Sequence, residues 1–164
     1  MKKQIIEHAE IKLIGLKVRT SCKNELNFET AQIGKIVRRY FKENISEKIP
    51  NRKNPGIRIV AYTNYESDGY GQYDYLIGEE VSLLNNIPNE LVGLTIPSGK
   101  YIKFTTNAGK MPDVVINAWQ QIWNMTKNNE LGGKRKYQTD FEIYDERAKD
   151  ANNAVFDIYI GIKY

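Results

Sequence analysis

The strand Tyr73-Asp74-Tyr75-Leu76-Ile77-Gly78 returns in the second half of the chain as Phe156-Asp157-Ile158-Tyr159-Ile160-Gly161. Both copies read aromatic-Asp-x-x-Ile-Gly within an apolar run. Each follows a strand ending in tyrosine, Ile59-Val60-Ala61-Tyr62 in one case and Phe141-Glu142-Ile143-Tyr144 in the other. Repetition of this kind restricts the fold to two like modules packed on one another, and a junction between modules creates a cleft suited to a small ligand. The copies differ at one telling place. Val60 in the first corresponds to Glu142 in the second, a carboxylate in a strand otherwise built for burial.

The chain has 164 residues, 41% of them hydrophobic and 27% charged. That is enough for one domain, or for two half-size modules sharing a core, the first spanning about 11–84 and the second about 90–164. No stretch approaches the roughly 18 apolar residues of a membrane span, and the start lacks a signal-peptide core. Cys22 is the sole cysteine, which excludes an intrachain disulfide and fits a reducing, cytoplasmic setting. The net charge is +4, but the basic residues are dispersed. The run Lys134-Arg135-Lys136, after Gly132-Gly133, reads as a solvated loop rather than a nucleic-acid patch.

Periodicity divides the chain into elements. Residues 11–19 are strand-like. Ile33, Ile36, Val37, Tyr40 and Phe41 recur at helical spacing, giving an amphipathic helix over about 28–44. Strands follow at about 57–64 and 72–82. In the second half, Val115, Ala118, Trp119, Ile122 and Trp123 mark a helix over about 112–127, with Pro112 at its first turn. Strands at about 139–145 and 154–163 complete that half. Both 91–96 and 101–105 match the first strand of module one, and the choice between them stays open. The expected fold is α+β: two β-α-β-β modules related by a pseudo-twofold, with a mostly antiparallel sheet, two main helices and a cleft between modules.

Strand alternation places Glu142 and Tyr144 on one face, and Val60 and Tyr62 on the equivalent face of module one. If that face lines the cleft, Glu142 is one carboxylate ringed by tyrosines. Such a carboxylate needs hydrogen bonds, a proton or a cation, and aromatic rings around an anion recognise organic cations by charge pairing and cation–π attraction. Tyr62, Tyr101, Tyr144, Trp119 and Trp123 are candidate walls, while Tyr65, Tyr70, Tyr137 and Tyr164 read as turn or terminal residues. Other chemistries lack their parts. His8 is the only histidine, so a catalytic triad or histidine metal site is not expected. Cys22 reads as an inert thiol, and Gly69-Tyr70-Gly71 lacks a phosphate-loop pattern. A Glu142/Tyr144 pair could perform acid–base or nucleophilic work, which keeps a hydrolase as an alternative. No cofactor is expected.

Four motifs in order, Tyr62-Thr-Asn-Tyr-Glu-Ser-Asp-Gly69, Ile96-Pro-Ser-Gly-Lys-Tyr-Ile-Lys-Phe104, Ala118-Trp-Gln-Gln-Ile-Trp123 and Thr139-Asp-Phe-Glu-Ile-Tyr-Asp145, resemble the GyrI-like effector-binding superfamily. The likeness is strongest to its integron-associated branch of stand-alone domains, and it runs from about Ile11 to Tyr164. The resemblance implies two β-α-β-β modules around a ligand cleft, and a cleft glutamate that binds lipophilic cations in the multidrug-sensing regulators. Here that role falls to Glu142, with Tyr144 beside it and with Tyr101 and Trp119 at matching aromatic positions. It also admits two other outcomes, a small-molecule hydrolase and a gyrase-inhibiting interaction protein. Regulators of the superfamily carry a helix-turn-helix domain; no room for one exists before Ile11 or after Tyr164, so direct promoter binding is not expected of this chain.

Overall fold

A computed structural model describes residues 1–163; Tyr164 lies outside the described residues. The chain runs β1 (Lys2–His8), β2 (Ile11–Ser21), α1 (Cys22–Glu25), α2 (Ile33–Lys42), α3 (Ile45–Lys48), β3 (Arg58–Thr63), β4 (Gln72–Glu80), β5 (Val92–Ile96), β6 (Gly99–Thr105), α4 (Asp113–Lys127), β7 (Lys134–Arg135), β8 (Thr139–Tyr144) and β9 (Asp157–Lys163), with a 3-10 turn at Glu146–Ala148. No helix among the described residues is long and apolar enough to cross a membrane.

The strands form one sheet in the order β1-β6-β9-β8-β3-β4-β2-β5, and β7 pairs separately with β9. Every described pairing of named strands is antiparallel. The order reads outward from its centre as β3-β4-β2 on one side and β8-β9-β6 on the other, so the two modules are related by a pseudo-twofold between β3 and β8. This resolves the open register: β6 corresponds to β2, and β5 is the added strand beside β2. On the other flank the added strand is β1. Its sequence, Lys-Lys-Gln-Ile-Ile-Glu-His, reads as polar and was not expected to be a strand. Its edge position explains the composition, because lysines on an edge discourage pairing with other chains.

The repeated Asp and Gly now have structural reasons. Asp74 accepts from the Arg19 guanidinium at 3.3 Å and from Asn64 at 2.7 Å. Asp157 pairs with Arg147 at 2.7 Å and Lys103 at 3.6 Å. Each aspartate thus joins the last strand of its module to neighbouring basic side chains. Gly78 lies directly opposite Gly15, and a Cβ on either would come within 2.0 Å of a carbonyl oxygen across the pair. Only glycine allows β2 and β4 to approach so closely.

The expected helix over 28–44 begins later and ends in two pieces. Asn27 to Gln32 form turns, and the Glu25 carboxylate accepts from the backbone N–H groups of Gln32 and Ile33 at 2.9 and 3.1 Å. This satisfies two of the unpaired donors at the start of α2. At the far end Asn44 takes a left-handed conformation, φ 49°, which separates α2 from α3.

The sheet curls strongly. Six strand spacings of about 4.8 Å separate β5 from β6, about 29 Å if flat, yet only Pro97 and Ser98 join them, a reach of about 11 Å. Ala9 and Glu10 join β1 to β2 under the same constraint. The side chains pointing into the curl, among them Leu13, Ile59, Tyr101, Phe141 and Tyr159, pack on one another without any helix. The opposite face carries the larger core. There α2 contributes Ile36 and Tyr40, and α4 contributes Val114, Ala118, Trp119 and Ile122. The helices therefore sit on the outer, convex face, and the central β3–β8 pair runs between the modules beneath them.

Candidate functional site

Antiparallel pairing of β3 with β8 sets Val60 opposite Glu142, Arg58 opposite Tyr144 and Tyr62 opposite Asp140. The pseudo-twofold thus passes between Val60 and Glu142, the pair at which the repeat breaks. Tyr62 and Tyr144 are repeat equivalents, and both reach the same carboxylate. The Tyr144 hydroxyl donates to Glu142 Oε1 at 2.8 Å, and the Tyr62 hydroxyl to Oε2 at 3.1 Å. From α4 the Trp119 indole N–H donates to Oε2 at 2.6 Å. Glu142 is 1% exposed, and these three partners are all neutral.

Burial pushes the Glu142 carboxyl up from its ordinary range, opposed by the hydrogen bonds from Trp119, Tyr144 and Tyr62 and by the Arg58 charge. The same burial, reinforced by the Glu142 charge, holds the Tyr62, Tyr75 and Tyr144 hydroxyls well above the usual phenol range. The tyrosines therefore keep their protons, and Tyr62 and Tyr144 donate them to Glu142 in hydrogen bonds. Arg58 lies over the Tyr144 ring, 4.3 Å from its centroid.

The rings around the carboxylate continue into a longer assembly. Tyr62 meets Trp119 at 5.0 Å, Tyr75 at 5.4 Å and Tyr73 at 5.8 Å between centroids. Trp123 lies 6.4 Å from Trp119 and is 47% exposed, at the rim rather than in the core stripe its spacing suggested. Tyr73 and Tyr75 were not singled out as walls from sequence. Alternation along β4 could have found them, since both share the face of Tyr62 once β3 and β4 pair.

Tyr101 is placed elsewhere. It lies inside the curl, on the opposite face of the sheet from Glu142, against Phe141 at 5.2 Å, and its hydroxyl donates to the Pro97 carbonyl at 2.6 Å. Burial pushes that hydroxyl up to about 12. Its parity could not be read while the register of 91–105 was open. His8 also turns into the curl, edge-on to Tyr101, Phe141 and Tyr159. The Cys22 thiol is half-buried and donates to the Gly69 carbonyl at 3.2 Å, with burial pushing its pKa up. Among the described residues no cluster of three or more His, Cys, Asp or Glu is placed to hold a metal ion.

The basic run at 134–136 is not a solvated loop. Arg135 is buried in β7 and pairs with fully buried Asp140 at 2.6 Å. Tyr65, read as an exposed turn residue, is half-buried and donates to the same carboxylate at 2.7 Å. The Arg135 guanidinium lies 4.3 Å from the centroid of Tyr137, which is also half-buried rather than exposed. Tyr70 is exposed, as its loop position implied.

Residues 4–162 match the family described as integron-associated effector binding protein. An integron cassette protein from the mobile metagenome of Vibrio cholerae, VCH_CASS2, has the same fold at a TM-score of 0.79 and 32% identity, covering 98% of this chain and 95% of that one. The YobU protein of Bacillus subtilis (strain 168) is 28% identical over 159 residues, 96% of each chain. SAV2435, solved bound to tetraphenylphosphonium, shares the fold at a TM-score of 0.76 and 20% identity over 99% of this chain and 94% of its own. With a near full-length family match and a full-length relative of the same architecture, the chain belongs to the integron-associated effector binding protein family.

Proposed function

We propose that this protein binds lipophilic aromatic cations, with Glu142 supplying the charge and Tyr62, Trp119 and Tyr144 the enclosing rings. The observation that carries the reading is a fully buried carboxylate whose three partners are neutral donors. Hydrogen bonds offset part of the desolvation of such a group, and a cation delivered from solution offsets the rest. Ring faces add cation–π attraction of about 2 kcal/mol in a desolvated site. A ligand must displace some of the rings that now cover the carboxylate, so flat or flexible aromatic cations that restack with them fit best. The shared fold with a protein solved with tetraphenylphosphonium, a lipophilic quaternary cation, is consistent with this class. Tyr101 has no part in the reading, and Trp123 serves as a rim contact.

The direct experiment is a thermal-shift series with quaternary phosphonium and ammonium compounds and neutral analogues of the same shape. Ligands that bind the folded state raise the melting temperature by mass action. Cations should raise it and neutral analogues much less, and Glu142→Gln should abolish the difference. Equal shifts for both classes, unchanged in Glu142→Gln, would overturn the proposal.

A further inference from the structure

Two carboxylates share the β8 face that points toward the helices. Glu142 and Asp140 are two residues apart on one strand, a step of about 7 Å. One already holds an organic cation of the protein's own. Asp140 accepts from the Arg135 guanidinium and from the Tyr65 hydroxyl, at 2.6 and 2.7 Å, while Arg135 lies on the Tyr137 ring. A delocalised cation held by a buried carboxylate, a tyrosine hydroxyl and an aromatic face is the arrangement proposed above for Glu142 and its ligand. The two places are also joined by rings. Tyr137, Tyr65, Tyr73, Tyr62, Trp119 and Trp123 follow one another at centroid spacings of 5.7, 5.9, 5.8, 5.0 and 6.4 Å.

We infer that Arg135 is a specificity-determining residue that fills the second anionic place of this aromatic track, so that a second positive charge on a ligand gains it no affinity. The inference rests on the cation-binding reading of Glu142. With Arg135 present, Asp140 is neutralised and a second positive charge on a ligand finds no partner. Without it, a dication whose charges are spaced by about one strand step could engage both carboxylates. Arg58, at the opposite flank, is the same in every comparison and does not confound it.

The test uses a naphthalene carrying one trimethylammonium group and its counterpart carrying two, at positions 2 and 6, titrated calorimetrically. The wild-type protein should bind both with affinities within about threefold. Arg135→Gln should favour the dication by about tenfold over the monocation, and adding Asp140→Asn to it should remove that preference. Asp140→Asn alone is nearly isosteric and leaves the Arg135 charge unpaired one strand step from Glu142. It should weaken the monocation about tenfold while leaving a neutral naphthalene unaffected, and it decides the matter if Arg135→Gln does not fold. A wild-type protein that already binds the dication tenfold tighter would overturn the inference. So would an unchanged preference in folded Arg135→Gln, or in Asp140→Asn an unaltered monocation affinity. If the wild-type protein binds neither cation, it is the Glu142 reading that fails instead.

Discussion

Glu142 joins two properties that conflict in the free protein. Its burial favours the protonated form, and its three donors favour the ionised one; burial is the larger influence, so its pKa is raised. A carboxyl that holds its proton more tightly when folded stabilises the fold most below the ordinary value of about 4.3. That contribution is lost as pH rises from there through the raised folded value, because the native state binds more protons than the unfolded one in that window. Glu142→Gln keeps acceptor and donor capacity for its neighbours and removes the titration. It should therefore melt higher than wild type at neutral pH, with the gap closing toward pH 4, in melts recorded across that range. A gap that stays constant with pH would show that the titration of Glu142 does not govern stability. For binding, the same change should cost a quaternary cation about 30-fold or more, the scale expected when one partner of a buried charge pair is lost.

At the scale of elements, α4 carries both a buried and a rim tryptophan. Trp123→Ala removes an exposed ring, so chemical denaturation should register less than about 0.5 kcal/mol, whereas calorimetry should register several-fold weaker binding of an aromatic cation. Gly78→Ala acts on the β2–β4 pair instead. Its Cβ would meet backbone, which cannot turn aside as a side chain can, so the variant should lose about 2 kcal/mol or more, with little soluble protein as the visible result. The repeat made Gly78 and Gly161 visible in the sequence, and it made Glu142 stand out against Val60. Strand alternation then paired Tyr144 with Glu142 and placed Tyr62 on the equivalent face. What alternation could not supply was the order of strands. Without it Tyr101 was grouped with the site, although it points into the curl, and Tyr73 and Tyr75 were left out. The Arg135–Asp140 pair was hidden for a related reason: a charged tripeptide after two glycines looks like a surface turn until β7 is seen to pair with β9.

For the whole molecule, the curl of the sheet fixes which face presents Glu142. Links of two residues draw the outer strands together on the concave side, which fills that side with core and leaves α2 and α4 on the convex side, the face that carries Val60 and Tyr144. Both tryptophans of the chain lie at that site, so an aromatic cation should change the intrinsic fluorescence along with the melting temperature, and with the same apparent affinity. A ligand that raises the melting temperature without changing the fluorescence would bind elsewhere. The most direct test of the account is the affinity of a permanently charged phosphonium as a function of pH, beside a neutral analogue and the Glu142→Gln variant. The account predicts that cation affinity rises with pH, by up to tenfold per unit below the Glu142 pKa, and then levels off, while the neutral analogue and the variant stay flat. A cation affinity that is independent of pH and unchanged in Glu142→Gln would contradict it.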